Sequence, residues 1–251
     1  TLLEATRGFN TVQILPDTDG SLWVATENGL LLLKNDTVAH WFRNDENAPN
    51  SLSNNHIRSL YRDTKNNLWV ATFDGLNLYN PDKKDFTVYY PGDAPQSISG
   101  NDIWDLVEDD EGRMFVAVGS SASYDKPGLN QFLNFDQRPS PKEAAFKVII
   151  RGSINKLLVD QQQRLWAGHG GSGGLSVIHL NSLHKSDLVH FNYKHSHHNS
   201  KSLTDNTISA LFLDNNKDVW IGTYGGGTNL YSPRIKPFHN YDLNTQAQHS
   251  L

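Results

Sequence analysis

SLWVATENGL, at residues 21–30, comes back at residues 67–76 as NLWVATFDGL. Inside it, Trp23 and Ala25 alternate with other residues, which puts a large and a small side chain on one face of an extended strand. The phrase is part of a longer pattern. An Asp stands six residues before an aromatic residue five times: Asp17/Trp23, Asp63/Trp69, Asp109/Phe115, Asp160/Trp166 and Asp214/Trp220. Successive Asp residues are 46, 46, 51 and 54 positions apart. A later aromatic pair closes most units, as in Phe86/Tyr89, Phe191/Tyr193 and Phe238/Tyr241. A short polar stretch follows the pair: Ser51-Leu52-Ser53, Ser97-Ile98-Ser99, Ser202-Leu203-Thr204.

Each unit reads as four short strands. The first, as at 57–62 and 208–213, has apolar residues on both faces and is expected between neighbouring sheets. A tight turn follows: DTDG, DTKN, DDEG, DQQQ or DNNK. Its Asp can accept local backbone N–H groups, and its fourth position favours Gly or Asn, which tolerate positive φ. Gln163 and Lys217 break that preference, so the fourth and fifth turns are expected to be built differently. Helical periodicity is absent. Four-stranded units of this length with a recurring Trp are the signature of propeller blades. The expected fold is therefore all-β, with five antiparallel four-stranded blades in one region covering 1–251. Their approximate limits are 9–50, 51–96, 97–149, 150–201 and 202–243, with 244–251 opening a following unit. Residues 1–8 fall in no complete unit and are expected to lend a strand to another blade.

The stretch NHIRSLYRDTKNNLWVATFDGLNLY at 55–79 resembles the two-component regulator propeller repeat. Departures are local: Phe115 for Trp, Val118 and His169 for Thr, Thr228 for Leu. The resemblance implies the periplasmic sensor region of a hybrid histidine kinase or a diguanylate cyclase. It also implies a membrane-anchored parent and a larger, seven-bladed propeller of which these five repeats are a fragment. The family's motif residues are structural, so it implies no catalytic residue.

Composition narrows the functions. A net charge of −5 argues against a nucleic-acid binder, which shows a basic face. No apolar run approaches the length of a membrane span, so no membrane contact is expected from this segment. The absence of cysteine removes thiolate catalysis, disulfides and Cys-based zinc sites. Neither HSHH at 195–198 nor DTDG at 17–20 has the ligand set of a metal site, and no metal or cofactor is expected.

Binding chemistry is expected in the loops between second and third strands, which vary from unit to unit. They supply Phe73, Asp74, Tyr124, Asp125, His169 and Tyr224, flat rings and hydrogen-bonding tips suited to a small polar or sugar ligand. The leading reading is a sensor module. The alternatives are an interaction platform, including a homodimer, and a propeller glycosidase or lyase. Against sialidase-like chemistry, the turns lack S-x-D-x-G-x-x-W spacing, because Asp19 and Gly20 are adjacent. Trp41 and Trp104 lie outside the repeated aromatic position and are expected to pack between blades.

Overall fold

The structure, a computed structural model, describes residues 10–94, 96–120, 126–185 and 188–241, with 235–241 as backbone alone. It falls into two compact units, 1–150 and 151–251. Among the described residues there is no α-helix, and helical structure is confined to three short 3-10 turns.

The first unit holds three four-stranded antiparallel sheets, each a meander with strands in chain order. They are β1 Thr11–Pro16, β2 Leu22–Thr26, β3 Gly29–Lys34, β4 Thr37–Phe42; β5 Ile57–Arg62, β6 Leu68–Thr72, β7 Gly75–Asn80, β8 Asp85–Tyr89; and β9 Ile103–Glu108, β10 Met114–Val118, β11 Gly128–Phe132, β12 Phe146–Arg151. The second unit holds two more: β13 Ile154–Val159, β14 Arg164–His169, β15 Leu175–His179, β16 His190–Tyr193; and β17 Ile208–Leu213, β18 Val219–Thr223, β19 Thr228–Ser232, β20 Ile235–Tyr241. These are the five propeller blades expected from the repeat. First strands of successive sheets abut, β1 on β5 and β5 on β9 in the first unit, β13 on β17 in the second.

Apolar layers lie between successive sheets. In the first unit one layer gathers Trp23, Leu30, Leu52, Ile57 and Phe86. The next gathers Trp69, Tyr89, Ile103, Met114, Phe132 and Phe146. In the second unit Trp166, Leu175, Ile208, Ile221 and Tyr231 form the corresponding layer. Burying an aromatic side chain of this size contributes on the order of 2–3 kcal/mol, which is why a blade needs its neighbour. The expectation of a first strand buried on both faces is met best by β5 and fails for β17, where Phe212 is 63% exposed. Phe212 pairs with Trp220 across the sheet. That face packs on a following sheet in the first, second and fourth blades, and no described sheet follows the fifth.

The six-residue spacing has a chemical cause. The indole Nε1 of Trp23, Trp69, Trp166 and Trp220 donates to Oδ2 of Asp17, Asp63, Asp160 and Asp214 at 2.7, 2.9, 2.8 and 3.0 Å. In the last four turns Oδ1 of the same Asp accepts backbone N–H groups two and four residues on, as from Lys65 and Asn67 at 3.0 and 2.8 Å. One carboxylate thus closes the turn and orients the Trp, using charge-assisted bonds worth about 1.5–3 kcal/mol each. The Trp220 indole N–H is the leading cause that holds the Asp214 carboxyl below its ordinary value. In the third blade Phe115 has no N–H, and Arg113 Nε donates to Asp109 Oδ2 at 2.7 Å instead.

All five turns share one backbone, which corrects the expectation for Gln163 and Lys217. Both adopt left-handed φ, 55° and 70°, beside 82° for Gly20, 64° for Asn66 and 71° for Gly112. The bonds to Asp160 and Asp214 hold the turn in a conformation that costs a Cβ-bearing residue about 1–2 kcal/mol.

The Ser-Leu-Ser stretches are anchors. Leu52, Ile98 and Leu203 are fully buried, and the backbone N–H of Ser53, Ser99 and Thr204 donates to the amide oxygen of Asn77, Asn130 and Asn229. At HSHH, His195 Nδ1 lies 2.7 Å from the Leu203 carbonyl, tying that loop to the same anchor.

Candidate functional site

One irregularity recurs in every blade. The ladder between first and second strands slips by one residue just after Thr11, Ile57, Ile103, Ile154 and Ile208. The bulged residues are Val12, Arg58, Trp104, Asn155 and Ser209. A bulge re-aims its side chain out of the pleat. Beside each bulge, the first residue of the second-to-third-strand loop donates its N–H to the carbonyl of the residue preceding the first strand. These pairs are Glu27 to Asn10, Phe73 to His56, Gly119 to Asp102, Gly170 to Ser153 and Tyr224 to Thr207. Loop and bulge therefore form a rim of fixed geometry.

In the first unit this rim is a connected cluster. Arg58 lies between two rings, its guanidinium carbon 5.1 Å from the Phe73 centroid and 4.0 Å from that of Trp104. Asp102 orients both neighbours: Arg58 Nε donates to Oδ1 at 3.2 Å, and Trp104 Nε1 donates to Oδ2 at 2.7 Å. The side chain of Asp102 is 2% exposed, so its charge is committed to them. Trp104 has space because the loop position beside it is Gly119, where a Cβ would run into the indole. On the other side of Phe73 stands His56, with ring centroids 6.2 Å apart. His56 Nε2 lies 3.9 Å from Glu27 Oε1, and Asn10 Nδ2 donates to Glu27 Oε2 at 2.8 Å. Phe73 is 39% exposed. Asp74 accepts a 2.6 Å bond from Asn101 Nδ2, which fixes its carboxylate at the same edge.

Of the expected site residues, the structure brings Phe73 and Asp74 together in this cluster. Tyr224 belongs to the second unit, where its side chain is 86% exposed. Tyr124 and Asp125 lie outside the described residues. His169 is buried to 7% exposure, with Nε2 2.8 Å from Ser176 Oγ. It takes the place held elsewhere by Thr26, Thr72 and Thr223, each of which donates its hydroxyl to the carbonyl of a glycine at or just before the start of the third strand. Burial, aided by the charge of Lys194, pushes the His169 imidazole down to about 4. Its ordinary value is near 6.5, so the unfolded chain takes up this proton first as pH falls. Stability tied to His169 is complete above about pH 6.5 and lost as pH falls toward about 4, by up to about 3 kcal/mol. His169→Thr is expected to flatten that acid limb, as read from urea midpoints between pH 7 and pH 4.

Sequence reasoning missed Arg58, Asp102, Trp104 and His56 as site residues. Trp104 packs between blades as expected, half-buried and capping Arg58 of the preceding sheet. Trp41 departs from that expectation. It is 44% exposed on the outermost strand β4, where it donates to the Asn28 carbonyl and carries Arg43 over its ring.

Five four-stranded antiparallel meanders, each closed by the same Asp turn, define a fold of the propeller class. The comparisons agree. Residues 51–74 and 202–225 match the two-component regulator propeller family, so the chain carries that repeat. No curated protein matches it. Among solved structures it is similar to the extracellular domain of a hybrid two-component system from B. thetaiotaomicron, at 22% identity and a TM-score of 0.70 over 91% of this chain and 29% of that one. It is similar to PorZ, a surface component of the type-IX secretion system of Porphyromonas gingivalis, at 18% and 0.65 over 90% of this chain and 33% of that one. It is also similar to virginiamycin B lyase from Staphylococcus aureus, at 10% and 0.61 over 94% and 71%. The chain thus spans about a third of the first two structures, and these likenesses carry the fold alone.

Proposed function

We propose that this chain is part of the extracytoplasmic sensor region of a bacterial signal-transduction protein, and that the rim of its first unit holds a small polar, sugar-like solute. The parent would be membrane-anchored and carry a histidine kinase or diguanylate cyclase output. The family of its repeats supports the sensor class. One observation carries the ligand class: a Phe73 ring that stays partly exposed between Arg58 and His56, with the Glu27 and Asp74 carboxylates in the same cluster. A sugar offers C–H faces that stack on a ring and hydroxyls that pair with such groups, and this division of apolar area from a few fixed polar tips is general for small-ligand sites. The role proposed is holding a ligand rather than turning one over.

A thermal-shift series with mono- and oligosaccharides tests this reading. At least one is expected to raise the melting temperature, and Phe73→Ala is expected to weaken that ligand by roughly tenfold, the worth of one aromatic stack. No response to any sugar, or an unchanged affinity in Phe73→Ala, contradicts it.

A further inference from the structure

The second unit contains a cavity that the rim does not use. It has a volume of about 770 Å³ and is lined by residues of the fourth and fifth sheets and the loop joining them. Trp166 and Tyr231 line it as buried aromatic surface, while Phe191, also in its lining, is a 51% exposed residue. Arg164, Lys194 and Lys201 also line it, and its described lining contains no Asp or Glu. The three cations differ in kind. Arg164 is neutralised by Asp160 at 2.6 Å and donates to the Tyr231 hydroxyl at 2.9 Å. Lys194 and Lys201 have no carboxylate within ion-pair distance among the described residues. On a chain of net charge −5, two uncompensated ammonium groups beside an exposed ring are a concentrated positive field. The charge of Lys194 also reaches inward, being one of the causes that lower His169.

We propose that this cavity is a binding site for a sugar acid. The saccharide ring stacks on Phe191, its carboxylate pairs with Lys194 and Lys201, and the Asn199 and Gln162 amides meet its hydroxyls. Lysine recognises such a group as a point charge, and the aromatic wall supplies the apolar contact that a simple anion lacks. The site stands on the second unit alone and does not depend on the rim of the first.

Isothermal titration of the full 251-residue chain with uronate trisaccharides of gluco, galacto and manno configuration, against their neutral counterparts, is the test. At least one uronate is expected to bind roughly tenfold more tightly than its neutral counterpart, the worth of one charge-assisted hydrogen bond. The preference should fall with added salt. Lys194→Ala with Lys201→Ala, both at exposed positions, is expected to abolish the preference with the melting temperature unchanged, and Phe73→Ala to leave it intact. Equal binding of charged and neutral sugars, binding of neither, or a preference that survives the double substitution would overturn the proposal. Loss of the preference in Phe73→Ala would place it at the rim instead and overturn it as well.

Discussion

Trp69→Ala is expected to cost the first unit about 4 kcal/mol, read from urea unfolding with an unchanged slope. Trp69 is fully buried, and its ring meets Tyr89, Phe132 and Phe135 at centroid distances of 6.0, 5.8 and 6.5 Å. The substitution removes that surface from between two sheets that cannot collapse onto each other without shifting their ladders. It also takes one donor from Asp63 Oδ2, leaving the Asn67 amide at 2.8 Å. Trp69→Phe separates the two losses, since it keeps most of the ring and none of the N–H. The third blade shows how such a change is tolerated, with Arg113 supplying the donor that Phe115 lacks. Arg113 occupies the place of Asn67, so Asn67→Arg is expected to recover part of the loss in a Trp69→Phe background. If Trp69→Phe proves neutral, the indole N–H contributes nothing to the clasp.

Asp160→Ala is expected to be comparably severe, about 3–5 kcal/mol, because it strips a buried guanidinium of its counter-charge. Arg164 is 9% exposed, and its Nε and Nη2 both reach Asp160 Oδ2 at 2.6 Å. The remaining bond to Tyr231 cannot balance the charge. The penalty belongs to the orphaned cation, so Asp160→Ala combined with Arg164→Met should be less destabilising than Asp160→Ala alone. Asp214→Ala, at a more exposed turn, should lose less. Chemical unfolding of the unsubstituted protein, Asp160→Ala, Arg164→Met and the double variant measures the coupling, and strict additivity would show that the pair does not act as a unit.

These two residues show why the blades were legible. Asp63 and Trp69 must stand six apart for one carboxylate to cap a turn and meet an indole on the next strand, so the bond leaves a fixed spacing. The turn backbone was harder to read. Gln163 and Lys217 look wrong for positive φ because propensity describes the residue alone, whereas the Asp bonds impose the conformation on whatever stands there. The rim was legible only in part. Phe73 and Asp74 lie in a variable loop and could be found by that position. Arg58 and Trp104 lie inside strands, and a bulge that turns them toward the loop leaves no mark on alternation. Gly119 is the one hint, an absent side chain where a neighbour needs room. His169 misled for the converse reason: a polar ring in a glycine-rich loop looks exposed, and only the close packing of Gly173 and Gly152 around it shows otherwise.

Amide hydrogen exchange, with and without the saccharide giving the largest thermal shift, tests most directly whether the bulged rim is where this protein holds its ligand. Protection is expected to concentrate at residues 56–58, 73–74 and 102–104, with the Asp turns at 63–66 and 109–112 unchanged. Protection centred on those turns, or spread evenly over the sheets, would contradict the account.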